Sequence, residues 1–185
     1  MKVIQFNSIR SSLQSALENR TLVEVEMNDD TGNGKFTGFI INLSYRFATL
    51  QVIEDWHSDG VQFLPLDRIC SIRTSELHFD RERILVWNGV GHPSMYDDIE
   101  IDSFETIFDS IQRRNGVVMI EDFESTEVGK ILNFENESLT IKGIDGAGQW
   151  LEEDVVRPFS DIWYVIYDDE YSRVLGSYVE SQVNC

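Results

Sequence analysis

The residues of this chain best suited to chemistry are carboxylates in its second half: Asp145, the run Glu152-Glu153-Asp154 and the run Asp168-Asp169-Glu170. Such groups serve as general acids or bases, ligate hard cations or present a negative field to a basic partner. With 33 Asp and Glu in 185 residues, carboxylate pairs at catalytic separation arise by chance. None falls in a recognisable catalytic pattern. The chain holds no His-Glu-x-x-His, no P-loop, no Gly-x-Ser-x-Gly and no Cys-x-x-Cys, so neither enzyme activity nor a cofactor is expected. The segment from Asn28 to Gly34, Asn-Asp-Asp-Thr-Gly-Asn-Gly, is rich in oxygen ligands. It lacks the spacing and closing glutamate of a calcium loop, reads as a turn, and leaves no metal site expected.

What remains for the acids is recognition. The run Asp97-Asp98-Ile-Glu100-Ile-Asp102 precedes a helical pattern, where carboxylates favour the dipole and cap the first turn. Glu152, Glu153 and Asp154 have no such role. With Asp145, Asp168, Asp169 and Glu170 they form the candidate surface for a basic partner. Trp56 and Trp150 stand beside turns, where a large ring either covers a small core or anchors an interface, and Trp150 joins the candidate set.

Charge supports the same reading. The net charge of −18 divides unevenly. Residues 1–93 carry 9 Lys/Arg against 12 Asp/Glu, a net −3, and residues 94–185 carry 6 against 21, a net −15. A field of that sign repels nucleic acid and anionic membrane and steers basic proteins inward. No apolar run approaches the ~20 residues that span a bilayer, and Met1–Ser8 lacks the apolar stretch of a secretory signal. Cys70 lies in an apolar strand pattern and Cys185 is the last residue, a poor pair for a disulfide, so the expected compartment is the cytoplasm.

The elements that must position these residues occur twice. Gly38-Phe-Ile-Ile-Asn-Leu recurs as Gly129-Lys-Ile-Leu-Asn-Phe at an offset of 91, and Pro65-Leu-Asp-Arg-Ile recurs as Pro158-Phe-Ser-Asp-Ile at 93. Two residues are therefore inserted between. A period this long marks a duplicated domain, since solenoid repeats run roughly 20–50 residues. The first copy reads as a helix over Ser8–Asn19, capped by Asn7 or Ser8, followed by strands at 22–27, 36–43, 47–53, 61–64 and 69–72. A tight turn is expected at Asp59-Gly60. The second copy reads as a helix over 103–114 and strands at 117–121, 128–134, 139–144, 150–155 and 162–167. Residues 77–101 read as a linker between domains at 1–76 and 102–185. The tail, 168–183, reads as a helix packing through Tyr171, Val174, Leu175 and Tyr178.

A helix leading into five short, bent strands resembles the Sm-like fold, most closely the bacterial Hfq type. The residues carrying the resemblance are Phe36-Thr-Gly38-Phe-Ile-Ile-Asn-Leu, Thr49-Leu50 and Leu64-Pro-Leu-Asp-Arg-Ile-Cys-Ser-Ile. An SH3-like barrel gives a similar string. The resemblance implies an α+β, mainly β chain: two tandem small five-stranded barrels, each preceded by a helix, plus a C-terminal helix. The family's RNA chemistry, a basic residue and a histidine before the last strand, is not matched, because Leu66-Asp67 and Phe159-Ser160 stand there. The fragment Leu50–Gly60 is similar to segments of bacterial proteins, some encoded near polymorphic toxins. The profile is also similar to immunity proteins of contact-dependent inhibition systems: small, acidic and without an active site. The expectation is a non-enzymatic protein, monomeric or a small oligomer, that occludes the substrate groove of a basic toxin such as a nuclease. The alternatives are an RNA-binding protein using Arg68, Arg73, Arg81 and Arg83, or a protein-interaction adaptor.

Overall fold

The computed structural model describes residues 2–27, 34–122 and 125–183. The chain divides into two compact units, residues 1–102 and 103–185. Among the described residues it is α+β and mainly β, with ten strands and four helices. The expected turn at 28–34 lies, apart from Gly34, outside the described residues.

The first unit opens with α1 (Lys2–Asn19), followed by β1 (Leu22–Met27), β2 (Lys35–Leu43), β3 (Phe47–Glu54), β4 (His57–Pro65), β5 (Ile69–Arg73) and α2 (Glu76–Trp87). The helix begins before its expected caps, Asn7 and Ser8, because no Gly or Pro precedes them to stop it. Its inward residues Leu13 and Ala16 are buried, as the spacing predicts. The strands pair antiparallel in the order β5-β1-β2-β3-β4. Asp59-Gly60 is not the turn. The chain reverses at Asp55-Trp56, with Asp55 at φ 47°, and Asp59 and Gly60 sit inside β4 opposite a register shift, where Gly60 takes φ 69°. A bulge with a left-handed glycine satisfies the same Asp-Gly signal as a turn.

The second unit repeats the plan with α3 (Phe104–Arg113), β6 (Val117–Glu121), β7 (Thr126–Glu135), β8 (Ser138–Gly143), β9 (Val155–Pro158), β10 (Tyr164–Tyr167) and α4 (Glu170–Val183). Its strand order, β10-β6-β7-β8-β9, is that of the first unit element for element. Ser103, rather than Asp102, caps α3: its Oγ accepts the Thr106 N–H (3.3 Å) while Thr106 Oγ1 accepts the Ser103 N–H (3.1 Å).

The duplication reaches the hydrogen-bond register. Gly38 faces Val52 and Gly129 faces Gly143; a bulge follows Ile40 in β2 and the matching Ile131 in β7; Phe47 faces Pro65 and Ser138 faces Pro158. One contact explains why glycine stands at both bends. A Cβ on Gly38 would lie 2.1 Å from the Gln51 carbonyl oxygen, and one on Gly129 would lie 2.3 Å from that of Lys142. Only a residue without a side chain lets the strands approach so closely.

In neither unit do the first and last strands of the sheet pair with each other, so the expected closed five-stranded barrels are open sheets. Closure demands consistent tilt and stagger along every strand, and in the second unit the two end strands, β9 and β10, have only four residues each. Side chains still bridge strands that are not neighbours in the second sheet. Arg157 on β9 donates to Asp122 Oδ2 (2.9 Å) beyond the end of β6 and to Glu127 Oε1 (2.5 Å) on β7.

Two expectations about the helices change. Residues 77–101 carry α2, and Tyr96, Ile99 and Ile101 beyond it are buried, so this stretch is part of the first unit. By position after the fifth strand, α2 is the counterpart of α4. In α4 the buried residues are Ser172, Gly176 and Val179, whereas Tyr171, Val174 and Tyr178, expected to pack, are exposed. Small residues bring the helix close to the sheet: a Cβ on Gly176 would lie 2.6 Å from Val117 Cγ2. With the boundary at 102, the units carry net charges of −7 (9 Lys/Arg, 16 Asp/Glu) and −11 (6 against 17), a milder asymmetry than division at 93 suggests.

Candidate functional site

Five of the eight candidate residues lie in one segment. The first unit spends residues 54–61 between Ile53 and Gln62; the second spends 145–154 between the matching Ile144 and Val155, two residues more. The expected strand at 150–155 is therefore absent as such. Only an isolated bridge joins Ile144 to Trp150, and regular pairing resumes at Val155. The inserted length breaks the ladder and turns the acids out of the sheet.

The segment opens with a tight turn held by Asp145, whose Oδ1 accepts the N–H groups of Ala147 and Gln149, both at 2.9 Å. Gly148 completes it at φ 74°, with the Tyr178 ring of α4 occupying the space a side chain would need. Trp150 is half-buried and Leu151 donates its N–H to the Gly143 carbonyl (2.9 Å). Glu152, Glu153 and Asp154 then run exposed on the surface. Lys142 Nζ donates to the Glu152 carbonyl (3.3 Å) and to Asp154 Oδ1 (3.2 Å), fixing the loop and neutralising Asp154. The carboxylates of Glu152 and Glu153 hold no partner among the described residues.

The other three candidates start α4. Asp168 sits at φ 63° and pairs with Arg173 Nε (3.5 Å). Asp169 is buried, its Oδ2 accepting the Ser172 N–H (3.0 Å), so it caps the helix and is no part of a surface. Its Oδ1 and the Ser172 hydroxyl are buried without hydrogen-bond partners among the described residues. Glu170 is exposed in the first turn.

The turn and the start of α4 meet around an open cavity of about 500 Å³, whose lining includes Glu127, Ile144, Asp145, Leu151 and Tyr171. Glu127 is held by Arg157. Tyr171, half its surface exposed, is the residue that composition-based reasoning missed, since its spacing with Val174 and Tyr178 reads as a packing face. Lys142 was also missed, because its role depends on a partner twelve residues away across the loop. The cavity therefore offers an apolar and aromatic floor beside a loop with two unpaired carboxylates. That combination suits a cationic side chain, which needs charge at the rim and a hydrophobic surface for its stem.

Among the described residues no group of three or more His, Cys, Asp or Glu is placed to hold a metal ion, and no helix is long and apolar enough to cross a membrane. The arginines of the first unit are largely engaged. Arg73 is ion-paired with Glu26, and Arg81 donates to the Asp55 carbonyl (3.2 Å) and lies over the Trp56 ring at 5.8 Å. No protein-family model, curated protein or solved structure matches the chain.

Proposed function

We propose that the second unit is a docking face for a basic protein, and that the chain acts as an immunity protein whose acids occlude the substrate groove of a basic toxin such as a nuclease. One observation carries this reading. The two residues by which the second copy exceeds the first fall in a segment that leaves Glu152 and Glu153 exposed and unpaired beside an open cavity. A duplicated fold supplies its own control, and the first copy fills the same interval with paired strand. Rim carboxylates of this kind accelerate encounter and confer salt sensitivity, while Tyr171 and Trp150 supply the less polar anchors.

The test is capture from a native, nuclease-treated lysate of the source, comparing wild type with Glu152→Lys/Glu153→Lys at low and physiological salt. Asp154 is left unchanged because it pairs with Lys142. A basic protein retained by wild type and lost by the variant supports the proposal, and equal retention by both overturns it. RNA recovered only without nuclease treatment supports the alternative, RNA binding by the first unit, for which the engaged Arg73 and Arg81 speak poorly.

A further inference from the structure

Helix α2 presents a broad apolar surface to solvent. Its Leu85 is fully buried against Leu22 and Ile53, which fixes the inward direction. Leu77, Phe79, Ile84, Val86 and Trp87 are all exposed, Trp87 by 86%. At 100° per residue the pole opposite Leu85 is formed by Glu76, Asp80, Arg83 and Trp87. Phe79 and Val86 make one shoulder of that face, and Leu77 and Ile84 the other. The inward charges of the helix are consumed locally: Glu82 Oε2 accepts the Leu22 N–H (3.2 Å), and Arg81 engages Asp55 and Trp56. Asp80 and Arg83, pointing outward, have no partner among the described residues.

We infer that this face pairs with the same face of a second copy, the two α2 helices lying antiparallel across a two-fold axis. In such a pair, residues whose numbers add to a constant stand opposite one another, and every contact occurs twice. A constant of 163 places Asp80 opposite Arg83 of the second copy, and Arg83 opposite its Asp80. The same register lays each Trp87 over the Glu76 end of the other helix. The shoulders fit as well. Phe79 with Val86 adds to 165 and Leu77 with Ile84 to 161, offsets of two residues from that register in opposite senses that an inclined helix crossing takes up. A parallel pair would instead set Arg83 against Arg83 and Asp80 against Asp80. Charge complementarity thus selects a second copy in one orientation. This pairing uses the first unit alone and is independent of the docking proposed for the second.

A helix of 12 residues is ~18 Å long, so the interface is small and a dissociation constant on the order of 10 µM is expected. The experiment is sedimentation equilibrium of the full chain across that concentration range at physiological ionic strength. Wild type is expected to rise from 21.4 kDa towards twice that mass. Asp80→Arg or Arg83→Asp alone sets like charges together and weakens association by about tenfold or more. The combined Asp80→Arg/Arg83→Asp restores opposite charges and recovers it, and Trp87→Ala abolishes it. These side chains are exposed, and unchanged circular dichroism confirms that each variant is folded. A wild-type mass of 21.4 kDa at every concentration overturns the inference, as does a dimer indifferent to all four changes. A double variant no better than the singles overturns the antiparallel register.

Discussion

Between Ile53 and Gln62 the first unit makes a tight hairpin and keeps its strand; between Ile144 and Val155 the second adds two residues and gives up the strand for an acidic loop. The register on either side is unchanged. Divergence is therefore confined to what the frame carries, as the closing helices also show. After the fifth strand, α2 buries Leu85 and leaves its large side chains outside, whereas α4 approaches β6 through Gly176. The frame is shared because the glycine bends and bulges that set it admit few substitutes. Loops and helix faces, under no such constraint, are free to take on separate tasks.

The most severe way to test the shared frame is to place a methyl group on its bends. Gly38→Ala and Gly129→Ala each drive a Cβ into a backbone carbonyl that belongs to a paired strand and cannot rotate away. Each is expected to cost ~3 kcal/mol, measured by urea denaturation. Comparable losses confirm that both copies depend on the same close approach; a tolerated alanine in one copy would mean its strands can separate, and the equivalence would fail. The closing helices should respond differently from each other. Asp169 caps α4 through its side chain, whereas Ser75, at the matching place before α2, makes no side-chain cap. Asp169→Ala is expected to cost ~1 kcal/mol and Ser75→Ala only a few tenths, by thermal or urea unfolding.

How far these features can be read from sequence follows from what causes them. The repeat, both glycines and most strands are legible because a bend or a buried face restricts residue type at fixed spacing. Helix α2 is not legible as the partner of α4, since apolar residues surround it on all sides and no inward stripe stands out. The packing face of α4 misleads for the opposite reason: its inward residues Ser172, Gly176 and Val179 are small, and close approach rewards Gly176 over the tyrosines. At the candidate site the cluster of acids is visible, but their duties are not. Whether Asp145 holds a turn, Asp154 meets Lys142 or Asp169 caps a helix depends on neighbours brought by the fold.

The acidic loop should be nearly silent in stability. Glu152→Gln/Glu153→Gln removes two charges that have no partner among the described residues, so the change in unfolding free energy should stay within ~0.5 kcal/mol. A larger loss would show that the loop serves the fold of the second unit, and the contrast with the strand at the same place in the first would lose its functional meaning.

The smallest effect concerns Glu26, opposite Ser71 on β5, whose counterpart Glu121 faces Tyr164. Hydrogen bonds from Ser71 and then Arg73, with the nearby charges of Lys35 and Arg73, hold the Glu26 carboxyl below its ordinary value of 4.5. The folded state thus binds this proton less readily than the unfolded chain does. The resulting stabilisation is complete above pH 4.5 and is lost as pH falls through the lower folded value. Because both ion-pair partners are substantially exposed, the contribution is small and screened by salt. Glu26→Gln should reduce stability slightly at neutral pH and remove part of its decline below pH 4.5, as read from urea midpoints against pH. An undiminished acid slope in the variant would show that the Glu26 cluster does not set the acid sensitivity of the fold.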